Sequence, residues 1–232
     1  MVFIGVAIGF LLLAIIWVCV MGDDIRYPRS VYPKVKEKKI EPAFIPDENE
    51  RRKEAKQFVK RLDELGYFKW TAPEDLKKVK AHIAKYYAEE RIFYTLTDEK
   101  YESLDYRTYY LNHDTINEGD AKSEFLRLGR TLEKLGFVID RVEQTLTEEY
   151  TYTLYVNDLE FDLTPSPYNS PDVDFVDFIN VILQKELKVE ERLYAIDLDD
   201  AYEVIFLDQK LYQFLRQSNL KNKRKPFLWE GY

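Results

Sequence analysis

An unbroken apolar stretch near the start of the chain limits how its first part can fold. Residues 2–20 read VFIGVAIGFLLLAIIWVCV and hold no charged or strongly polar side chain. At about 1.5 Å of rise per residue, roughly 20 apolar residues cross the ~30 Å hydrocarbon core of a bilayer. A helix on the surface of a globular core has a polar face, and this stretch has none. The sequence therefore predicts a membrane span or an export signal.

The flanks of this stretch favour an uncleaved anchor over a cleaved signal peptide. Only Met1 precedes it, so the basic segment that begins a signal peptide is missing, and no small-residue cleavage site follows. Lipidation at Cys19 is a second alternative, although Val18 before it is larger than lipoprotein signals favour. We interpret residues 1–22 as a single-pass transmembrane anchor.

The segment after the anchor predicts an extended tether and an orientation. Residues 23–46 contain four prolines, which disfavour a helix, together with six basic side chains and four acidic ones. Lys and Arg close to a span favour the cytoplasmic side of the membrane, whereas acidic residues count for little. We therefore expect a membrane protein with a cytoplasmic domain.

The composition of the remaining chain is that of a folded, acidic domain. Across all 232 residues the hydrophobic content is 46%, the aromatic content is 15% and the formal net charge is −8. These are globular values rather than those of a disordered tail. An acidic balance argues against nucleic-acid binding, which needs a concentrated basic surface. The lone cysteine, Cys19, lies in the apolar stretch, so the rest of the chain can form no disulfide within itself.

Hydrophobic periodicity predicts an α+β domain over residues 47–220, with a sub-boundary near 115–120 and a basic, aromatic tail at 221–232. We expect helices and an antiparallel mixed sheet, with one buried helix after Ser170. The predicted helices cover residues 47–65, 71–86, 119–135, 171–183 and 209–217. The predicted strands cover residues 91–95, 108–111, 137–146, 149–156, 159–164, 192–196 and 202–207. Thr71 and Glu74 match a helix-capping box.

The residue sets that carry catalysis are not found in the sequence. It has no glycine-rich phosphate loop, no nucleophile elbow and no cysteine nucleophile outside the apolar stretch. His82 lacks a second ligand at helical spacing, and His113 has Asp114 beside it but no nucleophile. We therefore predict that the protein is not an enzyme and has no catalytic residues, metal site, cofactor or small-molecule substrate.

Acidic residues cluster three times in the second half of the chain. This negative surface is suited to a basic protein partner. The clusters are Asp158, Glu160 and Asp162; Asp172, Asp174 and Asp177; and Asp197, Asp199 and Asp200. The predicted partner-binding residues are Asp197, Asp199, Asp200, Tyr202 and Trp229.

Residues 192–215, RLYAIDLDDAYEVIFLDQKLYQFL, resemble the C-terminal end of a group of bacterial proteins. Residues 64–80, ELGYFKWTAPEDLKKVK, are similar to an upstream block of the same group. Some of these proteins resemble immunity partners of secreted toxins, which implies a binding role and carries no site residues across. The predicted membrane anchor departs from the soluble members of the group.

The resulting hypothesis is that the protein is a membrane-anchored protein-binding module. The more specific form of this hypothesis is an immunity protein that neutralises a bacterial toxin. One alternative is a membrane-tethered, metal-dependent hydrolase that uses Asp197, Asp199, Asp200 and His113. Another is a structural component of an envelope assembly. The sequence leaves open the identity of the partner and the oligomeric state.

Overall fold

Two antiparallel sheets of three strands each organise the part of the chain that the structure describes. This computed structural model describes residues 47–99, 102–147, 152–165, 170–197 and 202–229. One sheet has the strand order β1-β6-β5, and the other is the meander β2-β3-β4. The strands are β1 (Thr108–Leu111), β2 (Val142–Leu146), β3 (Tyr152–Val156), β4 (Leu159–Asp162), β5 (Arg192–Asp197) and β6 (Tyr202–Leu207).

Six α-helices accompany these strands within the described ranges. They are α1 (Glu48–Glu64), α2 (Pro73–Glu90), α3 (His113–Asn117), α4 (Ala121–Lys134), α5 (Pro171–Val181) and α6 (Gln209–Gln217). Short 3₁₀ turns cover Tyr67–Trp70 and Asn222–Arg224, and a π-helical turn over Ile182–Glu186 extends α5. None of the described helices is long and apolar enough to cross a membrane.

The sheet β1-β6-β5 separates two hydrophobic cores, and only its β1 strand has an exposed side chain, that of Tyr110, among the residues whose burial is described. Side chains alternate across a strand, so neighbours in β5 and β6 point into opposite cores. One core includes α1, α2 and α6, and the other includes α4, α5 and the second sheet. Leu193, Val204 and Phe206 lie in the α5 core, whereas Tyr194, Ile205 and Leu207 lie in the α1 core.

The predicted buried helix is confirmed as α5. Its apolar side chains Phe175, Val176 and Ile179 have no exposed surface, and Phe178 is almost as buried. Phe178 stacks on Phe161 of β4, with ring centroids 4.5 Å apart and an interplanar angle of 22°. This contact fixes α5 against the meander.

The α+β class is confirmed, and the structure corrects several details. The strands form two separate antiparallel sheets rather than one mixed sheet. Residues 91–95 form no strand, although Phe93 and Thr95 are buried on either side of exposed Tyr94. The capping box is wrong because α2 begins at Pro73 after Ala72, and the buried hydroxyl of Thr71 has no partner in the described structure. The predicted anchor at residues 2–20 and the tether at 23–46 lie outside the described residues.

Candidate protein-binding face

The predicted partner-binding acids belong to the β5–β6 hairpin. Asp197 ends β5 and pairs in register with Tyr202, the first residue of β6. Asp199 and Asp200 fall in the connecting segment, outside the described residues. The hairpin itself is therefore confirmed, while the binding role of its tip stays a prediction.

Trp229 does not extend this group of acids along the hairpin. The backbones of Ala195 and Phe227 pair antiparallel through two hydrogen bonds of 2.9 Å. This pairing directs the chain beyond Phe227 away from the hairpin tip. Trp229 is partly buried and packs against the α5 core, whereas Leu228 remains 47% exposed. The aromatic tail thus folds back onto the domain.

The other two acidic clusters come together across β4 and α5. We define the acidic face as Asp158, Glu160 and Asp162 of the β4 hairpin with Asp174 and Asp177 of α5. In β4, exposed Glu160 and Asp162 flank the partly buried ring of Phe161, as expected for a strand with one wet face. The Phe161–Phe178 stack holds β4 against α5, and Asp162 lies close enough to Asp174 for its negative charge to raise the pKa of that carboxyl after burial. Glu160 and Asp162 point to the face of the strand opposite Phe161, so the two groups of acids border the same edge of the domain.

The first turn of α5 explains why acids collect there. Pro171 occupies the first helical position after Ser170, and Asp172 and Asp174 follow in the first turn. Proline is well suited to this position, and carboxylates are stabilised by the positive end of the helix dipole. These two effects account for the helix start, but not for Asp177 one turn further along.

Like charges lie close together within the acidic face. Burial raises the pKa of Asp174, and the negative charges of Asp177, Asp162 and Asp172 raise it further. Burial also raises the pKa of Asp177. Asp172 is 6% exposed, and its Oδ1 has no hydrogen-bond partner in the described structure. The carboxylates are therefore held together at some cost in stability.

Two acids of the acidic face have no ion pair within the described part of the chain. In the described part of the chain, neither Asp177 nor Glu160 has a Lys or Arg nitrogen within 4.0 Å. The burial of Tyr152, together with the charges of Asp172 and Asp174, raises the pKa of its phenol. No group of three or more His, Cys, Asp and Glu side chains in the described ranges could hold a metal ion.

A buried carboxyl group in the central sheet was missed by the sequence reasoning. Glu203 lies in β6, is 7% exposed and has no partner for its Oε2 in the described structure. Burial and the charge of Asp105 raise its pKa to about 7, and Arg224 opposes the shift. The sequence feature that could have revealed it is the single acidic residue at an inward-facing position of residues 202–207, YEVIFL. Its charge also raises the pKa of Tyr94, after burial of that phenol.

Aromatic rings surround this second site on the side of α2. The ring centroid of Tyr94 lies 5.3 Å from that of Tyr86 and 5.8 Å from that of His82. Burial lowers the pKa of His82, and the charge of Lys85 lowers it further. The three rings are tilted relative to one another. The Oε2 atom of Glu203 is buried and has almost no solvent-accessible surface. We therefore regard Glu203 as a buried titrating group rather than as part of an open pocket.

Comparison of this chain with protein-family models, with curated proteins and with solved structures finds no match. The function of the protein is therefore inferred from the geometry of the described residues. The acidic face is the candidate site that this geometry supports best.

Proposed function

We propose that this protein is a binding module that recognises a basic protein partner through the acidic face. The observation that carries the proposal is the grouping of Asp162, Asp174 and Asp177 where β4 packs against α5. Burial raises the pKa of Asp174, and the charges of the neighbouring acids raise it further. Perturbed acidic groups concentrate at functional sites because binding, rather than stability, keeps them there. A basic partner would relieve the repulsion and would be steered to the face during association.

The charge of the domain supports this choice of partner. The first 46 residues carry six basic and four acidic side chains, a net charge of +2. Since the whole chain carries −8, residues 47–232 carry −10. Long-range attraction of a cationic protein therefore adds to the local complementarity at the face.

The proposal extends to a membrane-anchored module of the immunity type. It is supported by the apolar stretch at residues 2–20 and by the resemblance of residues 192–215 to toxin-immunity proteins. An anchored immunity protein would bind an incoming basic toxin next to the membrane. The hydrolase alternative is not carried further, because no observation on the described residues favours it.

Capture of partners by the tagged, full-length chain tests the binding function. We expect one basic protein to co-purify in stoichiometric amount with the wild type and to be lost from E160Q/D177N. The matched control is E143Q, which neutralises an exposed acid on the opposite edge of the same sheet. A partner that binds the double variant as tightly as the wild type, or an acidic partner, would contradict the proposal.

Cell fractionation and protease protection test the anchor. The full-length chain is expected in the membrane fraction, and a chain lacking residues 2–20 is expected in the soluble fraction. In sealed vesicles with the cytoplasmic face inside, external protease should leave the domain intact. Membrane association that survives the deletion, or digestion of the domain in intact vesicles, would overturn this part.

A further inference from the structure

Strand β4 is an edge of the meander, and hydrogen bonding determines which of its backbone groups face outward. It pairs only with β3 in the described structure. The amide of Leu163 donates to the carbonyl oxygen of Tyr152 at 2.9 Å. Since bonded pairs alternate along an antiparallel ladder, Leu154 and Phe161 are the next bonded pair. The N–H and C=O groups of Glu160 and Asp162 therefore point away from β3.

These outward backbone groups are available for pairing. Among the described residues, the amides and carbonyls of Glu160 and Asp162 have no backbone partner. Both side chains are exposed. The edge thus offers two backbone donors, two backbone acceptors and two carboxylates along a strand of four residues, with Asp174 of α5 nearby. The Oδ1 of Asp162 already accepts from the amide and the hydroxyl of Thr164, and its negative charge remains.

Charged residues on an edge strand commonly prevent copies of a protein from pairing through that edge. The acids of β4 do this here, because a second copy would place like charges opposite one another. The same acids select for an extended segment with Lys or Arg side chains, since opposite charges across a strand pair are favourable. Repulsion of copies and attraction of a basic strand are two effects of one arrangement.

The other edge of the meander differs in its charge. In β2, exposed Glu143 is already paired with Arg141 at 2.5 Å. Gln144 is occupied as well, since its side chain accepts from the amide of Lys122 and donates to the carbonyl of Gly119. At the β4 edge, in contrast, Glu160 and Asp162 have no ion pair among the described residues, so the β2 edge serves as its internal control.

We propose that the β4 edge binds an extended basic segment of a protein partner as a fourth strand of the meander. This inference rests on the proposed function and specifies how the acidic face would recognise its partner. Backbone pairing would supply register, and the carboxylates would supply specificity for Lys and Arg.

A synthetic peptide of alternating lysine and threonine, added to the full-length chain, tests this mode of recognition. We expect the exchange of the Glu160 and Asp162 amides, followed by NMR, to slow at least tenfold on peptide binding. Amides of β2 should be unaffected. A peptide of the same charge that is N-methylated at alternate residues should bind at least tenfold more weakly, since it cannot complete the ladder.

The outcomes separate this inference from the function on which it rests. Equal binding of the two peptides, without protection of β4, would overturn strand addition while leaving recognition of basic partners intact. Protection of β2 instead of β4 would also overturn it. Binding that E160Q/D177N does not weaken, or no binding of either basic peptide, would overturn strand addition, and capture of a basic partner would separately decide the function. E143Q should bind both peptides as the wild type does.

Discussion

At the scale of single residues, one buried carboxylate organises the loop between α2 and β1. Asp105 has no exposed surface and accepts hydrogen bonds from the hydroxyls of Tyr67, Thr95, Ser103 and Thr108. It also accepts the backbone amide of Thr108 at 3.1 Å, which fixes the start of β1. A buried charge is tolerated when donors surround it in this way.

Arg107 is a second buried charge in the same loop. Its Nε donates to the carbonyl of Tyr67 at 2.7 Å, and its Nη1 donates to that of Phe206 at 2.8 Å. The guanidinium lies 4.0 Å from the ring centroid of Trp70. Burial lowers the pKa of Arg107, and the negative charge of Asp105 opposes the shift. The two residues together join the 3₁₀ turn after α1 to the central sheet.

Replacement of Asp105 by Asn should therefore destabilise the fold strongly. One carboxylate oxygen becomes an amide donor that faces hydroxyl donors, so several charge-assisted hydrogen bonds are lost. We expect the free energy of unfolding to fall by about 3 kcal/mol, measured by denaturant unfolding at neutral pH. The exposed variant E143Q should change little, and a D105N protein as stable as the wild type would refute the role assigned to Asp105.

Glu203 predicts a particular dependence of stability on pH. Its folded-state pKa of about 7 lies above its ordinary value, so the native state holds a proton that the unfolded state releases. The contribution of this group to stability is therefore greatest at low pH, falls as pH rises from about 4.5 to 7, and is lost above that. E203Q removes the dependence. Its stability relative to the wild type should rise between pH 5 and 8 by up to about 3 kcal/mol in urea titrations.

Subtraction of the two stability curves isolates this effect, because Asp174 and Asp177, whose pKa values are also raised, are the same in both proteins. A difference between E203Q and the wild type that stays constant from pH 5 to 8 would show that Glu203 titrates normally. A difference that shrinks with rising pH would give the sign opposite to the one expected.

At the scale of elements, the backbone conformation of single glycines determines where two helices end. Gly66 after α1 and Gly136 after α4 both have positive φ, of 78° and 95°, and a Cβ added at either would meet nothing within 4 Å. Glycine is favoured at these two positions because of the positive φ, and not because a larger side chain would lack space. G66A should lower the free energy of unfolding by about 1 kcal/mol, and G66N by less, because Asn tolerates this region better. Equal losses in the two variants, by thermal or denaturant unfolding, would point to another cause.

Local patterns also explain which elements could be predicted from the sequence. Helix α6 was predicted with its observed bounds, and the turn at Asn157 has the positive φ of 53° that a two-residue hairpin requires. The side chains of residues 93–95 do alternate between buried and exposed, but the segment pairs with no strand among the described residues. The contact of β4 with α5 depends on the Phe161–Phe178 stack. No local pattern specified that stack, so the acidic face was not predicted as one surface.

At the scale of the whole molecule, long-range pairing holds the two cores together. Strand β1 pairs with β6, whose residues lie almost a hundred positions later in the chain, with Thr108 opposite Ile205. This pairing crosses the sub-boundary predicted near residues 115–120. No periodicity in the sequence could specify it, because periodicity reports a buried face and not its partner.

The shared sheet leads to a last prediction, that the two cores unfold together. Leu193 of β5 lies in the α5 core, Ile205 of β6 lies in the α1 core, and neither has exposed surface. Each substitution by Ala should cost about 3 kcal/mol through lost burial and a residual cavity. Because both strands belong to one sheet, either variant should lower the protection of the slowest-exchanging amides in α2 and in α5 equally. If L193A lowered protection in α5 while α2 kept its own, the cores would be separate folding units.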